Sequence, residues 1–323
     1  MDHLDIIEFK EGMTVIGFYL VKRAESKISN ASKKQYLDLV LADKTGEVNA
    51  KVWSPEGDAT DVFVAGKLVK IKALVKLWQD KPQLNIQNYR IPVPADNQNI
   101  ENFVPTAPGD IEEYYEFIIS RIEMMKNKSM SMLVRALLLD KMEQFKIYPA
   151  AKSNHHSVRS GLIYHEYRML RLAEAMKTVY QEIDLDLLNA GIILHDLYKT
   201  EEMDISEIGL VTEYTPQGNM LGHIVMGVSA IEKKAFELGI EDECVLLLKH
   251  MVLSHHYFPE FGSPVFPMFL EAELLHHIDM VDARVYDFAE VYKGLEGGRL
   301  SEPIFSLDRR RVYKPIMHDT QKG

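Results

Sequence analysis

The sequence predicts a multidomain chain: an N-terminal all-β barrel followed by an all-α domain gathered around a histidine cluster. Three observations carry this. From Met13 to Pro94, apolar and polar residues alternate with period two between turn residues, whereas after Tyr148-Pro149 every convincing segment has the i, i+3, i+4 spacing of a helix. Ten of the twelve histidines fall between His155 and His277, which calls for a shared cause. At 323 residues the chain is also long enough for two domains, each with its own core.

Taken in order, Thr14–Lys22, Gln35–Leu41, Gly46–Trp53, Lys67–Lys76 and Pro82–Ile91 read as five strands. Ala42-Asp-Lys-Thr-Gly46 forms a tight hairpin turn between the second and third, and Pro55 to Ala65 is an irregular or helical insert. Five short strands suit a small closed barrel, whose interior must be filled by side chains. Between Met13 and Ala95 there are 13 Lys and Arg against 8 Asp and Glu, so a modestly basic front precedes an acidic body within a net charge of −11. That balance excludes a protein that coats nucleic acid through general basicity. Pro105 and Pro108 mark a linker, Asp110 caps a helix over Ile111–Met125, and a second helix runs from Ser129 to Phe145. The methionines of these helices (Met124, Met125, Met130, Met132, Met142) read as adaptable packing. The expected division is 1–96 barrel, 97–150 linker and connecting helices, 151–300 helical domain and 301–323 basic C-terminal tail.

In the helical domain the apolar run Gly191-Ile-Ile-Leu-His-Asp-Leu197 ends in adjacent His195 and Asp196. Burying an unpaired charge costs several kcal/mol, and a bound cation removes that cost. On a helix over Leu185–Leu197 the two side chains project roughly 100° apart, so both reach a cation near the helix end. His165 sits in the stripe Leu162, Met169, Leu172, Met176, and therefore faces inward. His223 lies one turn before Gly227, Ser254-His255-His256 closes a helix over Asp242–Leu253, and Asp279 lies beside the stripe Leu274, Ile278, Val281, Val285. Asp282 competes with Asp279 on spacing alone. Imidazoles and carboxylates without thiolates suit an octahedral borderline cation, Mn first and Fe or Co as alternatives, better than structural zinc. The single cysteine, Cys244, excludes an intrachain disulfide and reads as a small apolar residue on a buried helix face. No stretch approaches a membrane span and the N-terminus lacks a signal peptide, so the expected compartment is the cytoplasm, with no membrane partner.

Leu37-Asp-Leu-Val-Leu-Ala-Asp-Lys-Thr-Gly-Glu-Val-Asn-Ala-Lys-Val-Trp53 resembles an OB-fold. Folds of that type commonly bind single strands by stacking bases on aromatics in a basic groove. The candidates are Phe18, Tyr19, Trp53, Trp78 and Tyr89, with Lys51, Lys70, Lys72, Lys76 and Arg90, each set against the ordinary alternative of core aromatic or solvated lysine. The order His165, His195-Asp196, Asp279 is similar to the HD phosphohydrolase superfamily, and His223, His255 and His256 match its two-metal members. Asn154-His-His156 before Gly161-Leu-Ile-Tyr-His165, Leu221-Gly-His223, Val252-Leu-Ser-His-His256, Leu275-His-His-Ile-Asp279 and the tail Leu307-Asp-Arg-Arg-Arg-Val-Tyr-Lys-Pro315 extend the likeness. Together with the OB-type front they resemble the YhaM family of 3′-5′ exoribonucleases.

The resemblance implies two divalent metals, one held by His165, His195, Asp196 and Asp279, the other by His223, His255 and His256 with Asp196 as bridge. It implies release of nucleoside 5′-monophosphates from the 3′ end of single-stranded RNA, with single-stranded DNA and homo-oligomeric assembly left open. Asp196, Lys199 and His156 are the expected catalytic residues. His155 and His156 either donate to a substrate phosphate or protonate the leaving oxygen, or else form an N-terminal cap or surface pair; His250 and His276 read as partners that orient ligands. Arg309, Arg310, Arg311 and Lys314 either grip phosphates or form a solvated run. Tyr198 stands where the family carries a small residue, usually glycine; a tyrosine resists a left-handed turn, which predicts another path for the loop carrying Lys199 and puts its phosphate contact in question. Two further readings stay open: the same site acting on a nucleotide or cyclic dinucleotide, and a non-catalytic nucleic-acid-binding adaptor.

Overall fold

The computed structural model describes residues 4–29, 33–53, 55, 59–79, 81–96, 100–152, 156–206 and 208–318. The chain packs as two units, residues 1–106 with 205–212, and residues 107–204 with 213–323.

In the first unit β1 (Thr14–Ile28), β2 (Gln35–Asp43), β3 (Gly46–Val52), the short α1 (Ala59–Val62), β4 (Leu68–Trp78) and β5 (Lys81–Arg90) form a closed barrel in the order β1-β2-β3-β5-β4. Only the β3–β5 pairing is parallel. β1 runs past the expected end at Lys22 because its register shifts between Val21 and Arg23. Its first half pairs with β4, Thr14 against Leu74, and its second half with β2, Ile28 against Gln35. A bulge adds twist and lets one strand serve two neighbours, which closes the barrel. It also moves the alternation by one residue, so the second half does not read as a continuation. Val69, Ile71, Ala73 and Val75 of β4 point into the core beside Tyr19, Leu39 and Leu41, while Lys72 and Lys76 face out. Phe103 and Val104, expected in the linker, are buried with Phe18, Leu20, Ala42 and Ile208.

The second unit contains α2 (Ile111–Met124), α3 (Lys128–Asp140), α4 (Met142–Ile147), α5 (Gly161–Val179), α6 (Leu185–His195), α7 (Lys199–Glu202), α8 (Pro216–Leu238), α9 (Glu243–Ser254) and α10 (Leu270–Lys293). Asp110 caps α2, accepting from the Glu112 N–H at 2.8 Å. The helix expected over Ser129–Phe145 is two, because Lys141 leaves helical geometry at φ −118°. The region after Pro149 is not wholly helical: β6 (Met203–Ile205) and β7 (Val211–Tyr214) form a hairpin, too short for a periodic signal. Met125 and Met130 are buried, whereas Met124 and Met132 are exposed.

α6 is the axis of the unit. Every residue from Leu187 to His195 is buried, as expected of a helix apolar on all sides, and α2, α3, α5, α9 and α10 pack around it. No described helix is long and apolar enough to cross a membrane. Cys244 is buried near the start of α9, and burial pushes its thiol up to about 11. It should therefore resist alkylation by iodoacetamide at pH 8 in the folded protein and react fully in denaturant; rapid labelling of the native state would contradict its placement.

Candidate metal centre

α6 delivers His195 and Asp196 to the centre of the second unit, and four other elements bring partners to them. His165 comes from the first turns of α5, His223 from α8, His255 and His256 from the end of α9, and Asp279 from α10. The side chains converge in two groups whose ligand atoms lie within 4.8 Å of one another: His165, His195 and Asp279, and Asp196, His223, His255 and His256. Asp196 faces both. Its Oδ2 lies 3.3 Å from His195 Nε2, while its Oδ1 lies 3.4 Å from His223 Nε2 and 3.7 Å from His255 Nε2. In the first group His165 Nε2 is 3.2 Å from Asp279 Oδ1.

The five imidazoles are oriented alike. Nδ1 donates to a backbone carbonyl in three of them: His195 to Ile192 at 2.7 Å, His255 to Val252 at 2.8 Å and His256 to Phe261 at 2.6 Å. A carbonyl only accepts, so the proton sits on Nδ1 and the Nε2 lone pair points inward. His165 and His223 direct Nδ1 at carboxylates instead, Asp282 Oδ2 at 2.8 Å and Glu202 Oε1 at 3.0 Å. As a result His195 Nε2, Asp196 Oδ1, His223 Nε2 and His255 Nε2 are buried with no hydrogen-bond partner. Native proteins rarely leave so many buried acceptors unanswered, and a divalent cation answers all of them. The donor set fits the group.

Local backbone devices hold this arrangement. Gly222 interrupts α8 with φ +70°, a conformation that side chains rarely adopt, and the kink sets the His223 N–H 3.1 Å from Glu202 Oε1. Gly161 opens α5 under the carbonyl of His156; a Cβ there would sit 1.9 Å from that oxygen. Tyr198 adopts φ −83°, so no left-handed turn is required, and its ring is buried beneath Lys141. The loop runs straight into α7, whose first residue Lys199 places Nζ 2.7 Å from Asp196 Oδ2.

Charge balances within the cluster. Burial alone would raise the Asp196 carboxyl, but Lys199 and His195 beside it hold it well below the carboxylate range. Burial likewise opposes ionisation of Asp279, which His165 overcomes. Burial disfavours a proton on His165, yet Asp279 and Asp282 on its two sides lift it to about 9. In the absence of a cation, a proton takes its place. Burial lowers His255 and His256, which are neutral and ready to ligate.

The other expected site residues divide between the cluster, the interior and the surface. His156 does not face a substrate: it is fully buried, with Nε2 2.7 Å from Asp282 Oδ2, and it positions that carboxylate. His155 lies outside the described residues. Lys199 contacts Asp196 itself and is largely buried. His276 Nδ1 donates to the His255 carbonyl at 2.8 Å, whereas His250 accepts from the Met268 N–H at 3.0 Å and touches no ligand. Tyr19 is 0% exposed, its hydroxyl donating to the Leu4 carbonyl, and Phe18 is buried, so neither can stack on a base. Lys51 is paired with Asp38. Trp53 (48% exposed), Trp78 (64%) and Lys72 remain on the barrel surface, and Tyr36 stacks on Trp53 at 4.9 Å. The C-terminal stretch is no free basic tail: Leu307 and Val312 are buried, and Lys314 donates to the Leu295 carbonyl at 2.8 Å, while Arg310 stays exposed near Asp308.

Three supporting residues escaped the sequence reading. Asp282, weighed only as a rival ligand, collects His156, His165 and, on its other oxygen, Arg168 Nε at 2.7 Å. Glu202 orients His223 but sits in a Glu201-Glu202 pair that looks like surface charge. Glu166 is buried beside Asp196 with both oxygens unpartnered, and burial raises it well above the carboxylate range.

The HD domain family matches residues 162–284, the span that holds every member of the two groups. The solution structure of the second OB-fold domain of replication protein A from Methanococcus maripaludis covers 28% of this chain and 94% of its own, at 19% identity and a TM-score of 0.24; the barrel rests on its own strand order. Proteins named 3′-5′ exoribonuclease YhaM are similar over nearly the full length. That of Oceanobacillus iheyensis is 39% identical over 94% of this chain and 95% of its own. That of Listeria welshimeri is 40% identical over 96% and 98%, and that of Bacillus subtilis 38% identical over 93% and 95%. With an HD domain whose histidines and aspartates converge, and with relatives this similar along almost all of its length, the chain belongs to the family of the 3′-5′ exoribonuclease YhaM.

Proposed function

We propose that the protein is a cytoplasmic, metal-dependent 3′-5′ exoribonuclease that degrades single-stranded RNA to nucleoside 5′-monophosphates. The observation that carries the reading is the two-sided Asp196, whose oxygens face one histidine group each, among inward Nε2 atoms that lack protein partners. This supports two divalent metals, one at His165, His195 and Asp279, the other at His223, His255 and His256, with Asp196 shared; a nitrogen and oxygen set without thiolate favours Mn over zinc. Bound there, divalent cations supply charge stabilisation at phosphorus and an activated water. The chain's own contribution is orientation: the Nδ1 bonds fix each imidazole, Asp279 and Asp196 bring negative charge, and Lys199 keeps a cation beside Asp196. An adaptor with a relic site would be expected to replace such buried polar groups with apolar ones.

The test is a 5′-labelled single-stranded RNA incubated with Mn-loaded protein, beside DNA of the same sequence. Stepwise shortening from the 3′ end with release of nucleoside 5′-monophosphates is expected. Intact RNA rejects the reading, and hydrolysis of a cyclic dinucleotide by the same sample would redirect it to small phosphodiesters.

On the barrel, the exposed Trp53 and the half-buried Tyr36 stacked on it are the proposed stacking platform, with Trp78 and Lys72 as further contacts; in the second unit Arg310 is a separate proposed contact. Trp53→Ala should weaken RNA binding by about 1–3 kcal/mol, roughly five- to more than a hundredfold, without changing the slope of log affinity against log salt, because stacking releases no counterions. A fluorescence anisotropy titration at several salt concentrations checks both parts; unchanged affinity removes the pair from the binding face.

A further inference from the structure

Beside the metal groups the second unit has a cleft of about 590 Å³, within the range of roughly 300–1,000 Å³ typical of small-molecule sites. His255, His256 and Asp279 form one side, so the cleft is continuous with both groups. A larger hollow of about 720 Å³ beside Asp186 and Asn189 touches none of those ligands. α10 sets the scale: Asp279, Ala283 and Asp287 line the cleft over about 12 Å of helix at 1.5 Å per residue.

The two walls differ in chemistry. Phe258 and Phe261 stand on one, 42% and 64% exposed, and Met280 of α10 also lines the cleft. They get there because Tyr257 takes a left-handed φ of +69° directly after His255-His256 and turns the chain back, and His256 Nδ1 then fastens the turn through the Phe261 carbonyl. Strain of this kind in a non-glycine residue persists where the surrounding structure enforces it. At the far end lies the turn of Ser306 and Asp308, where Asp308 and Arg309 are both left-handed. Arg284 ties it to α10, donating to the Ser306 carbonyl at 2.8 Å and pairing with Asp308 Oδ2 at 2.9 Å. This end carries the carboxylates of Asp287 and Asp308; Asp308 is shared by Arg284 and Arg310, whereas no ion pair among the described residues compensates Asp287.

We infer that this cleft holds the 3′-terminal nucleoside of the RNA, its base against Phe258 and Phe261 and its ribose hydroxyls at the Asp287–Asp308 end. The inference rests on the exoribonuclease reading and adds the origin of its end selectivity. A carboxylate without a cation accepts from hydroxyls and repels phosphates, so Asp287, with both arginines held by Asp308, admits a 3′-hydroxyl terminus and disfavours both a 3′-phosphate and the next phosphate of a continuing chain. Stacking on Phe258 and Phe261 is tolerant of base identity, since every base presents a π face.

The test compares single-stranded RNAs ending in a 3′-hydroxyl or a 3′-phosphate, using wild type, F258A/F261A and D308N. Wild type should degrade the hydroxyl end at least tenfold faster. F258A/F261A should raise KM for RNA, and weaken binding of adenosine 5′-monophosphate to the metal-loaded protein by calorimetry, each at least tenfold, at unchanged metal content. D308N, in which asparagine suits the left-handed position and Arg284 and Arg310 both lose their anion, should reduce the preference for the hydroxyl end at least fivefold. Equal rates on both ends in wild type, or KM and monophosphate affinity within twofold of wild type in F258A/F261A, overturn the assignment. If wild type leaves RNA intact, the exoribonuclease reading falls separately. The monophosphate titration then decides the cleft: binding weakened tenfold in F258A/F261A sustains it, and equal binding overturns it.

Discussion

Asp196→Asn is expected to abolish RNA degradation, with a loss of at least about a thousandfold, because the change strikes both metal groups at once. The carboxylate is buried, with Oδ2 toward His195 and Lys199 and Oδ1 toward His223 and His255. Asparagine offers one oxygen and an amide that donates, so whichever way it turns, one group faces N–H bonds where it had an anion. Metal content measured on protein purified without chelator should fall with activity. A second effect follows from Lys199, whose ammonium lies 2.7 Å from Asp196 and is largely buried. Removing one partner of a buried pair costs about 3–5 kcal/mol, since the other charge is left uncompensated. D196N should therefore unfold earlier in denaturant, and adding Lys199→Met should restore much of that stability without restoring activity. A D196N protein that still trims RNA at a tenth of the wild-type rate would remove Asp196 from the centre of the mechanism.

The ligand positions were legible because a polar side chain inside an apolar pattern is an anomaly that has to be answered. His165 inside its stripe and His195-Asp196 at the end of an all-apolar helix are such anomalies, and the structure buries all three. Asp279 and Asp282 were not separable in that way. They lie three residues apart on one face of α10 and bracket the same ring, Asp279 at Nε2 of His165 and Asp282 at Nδ1. Spacing is blind to which nitrogen a carboxylate meets. Tyr36 was legible and overlooked: counting back along the hairpin from the Asp43–Gly46 pair sets Tyr36 opposite Trp53. Lys314 was beyond reach, since its basic run looks solvated and the carbonyl it seeks, that of Leu295, belongs to a loop with no pattern. Glu166 illustrates the reverse case, a charged residue type whose burial raises its carboxyl well above the carboxylate range.

The second large effect is expected at Asp282→Asn, a residue that touches no reacting group. Its Oδ2 accepts from His156 and His165 at 2.7 and 2.8 Å, and its Oδ1 from Arg168 at 2.7 Å, in a site that is 5% exposed. The asparagine amide must turn its donor either on Arg168 or on the two imidazoles, so one side of the hub is lost. Loss of a partner that orients a metal-ligating histidine typically costs ten- to a hundredfold in metal affinity, and that is the expected weakening for Mn. The pH dependence separates this positioning role from general damage. In metal-free protein burial opposes a proton on His165, but Asp279 and Asp282 raise it to about 9, well above 6.5 for an unfolded histidine. A raised folded value stabilises fully below pH 6.5, and the stabilisation is lost as pH climbs through 9. Chelator-treated wild type should thus lose stability between pH 6.5 and 9, and D282N should lose less over the same interval because its His165 binds the proton more weakly. Metal competes for the same position, so wild-type Mn affinity should rise with pH across that window and release close to one proton per ion at pH 7.5, and fewer in D282N. Denaturant melts at the two pH values, and calorimetry in buffers of different ionisation enthalpy, measure both slopes; identical slopes in the two proteins would leave Asp282 a packing residue.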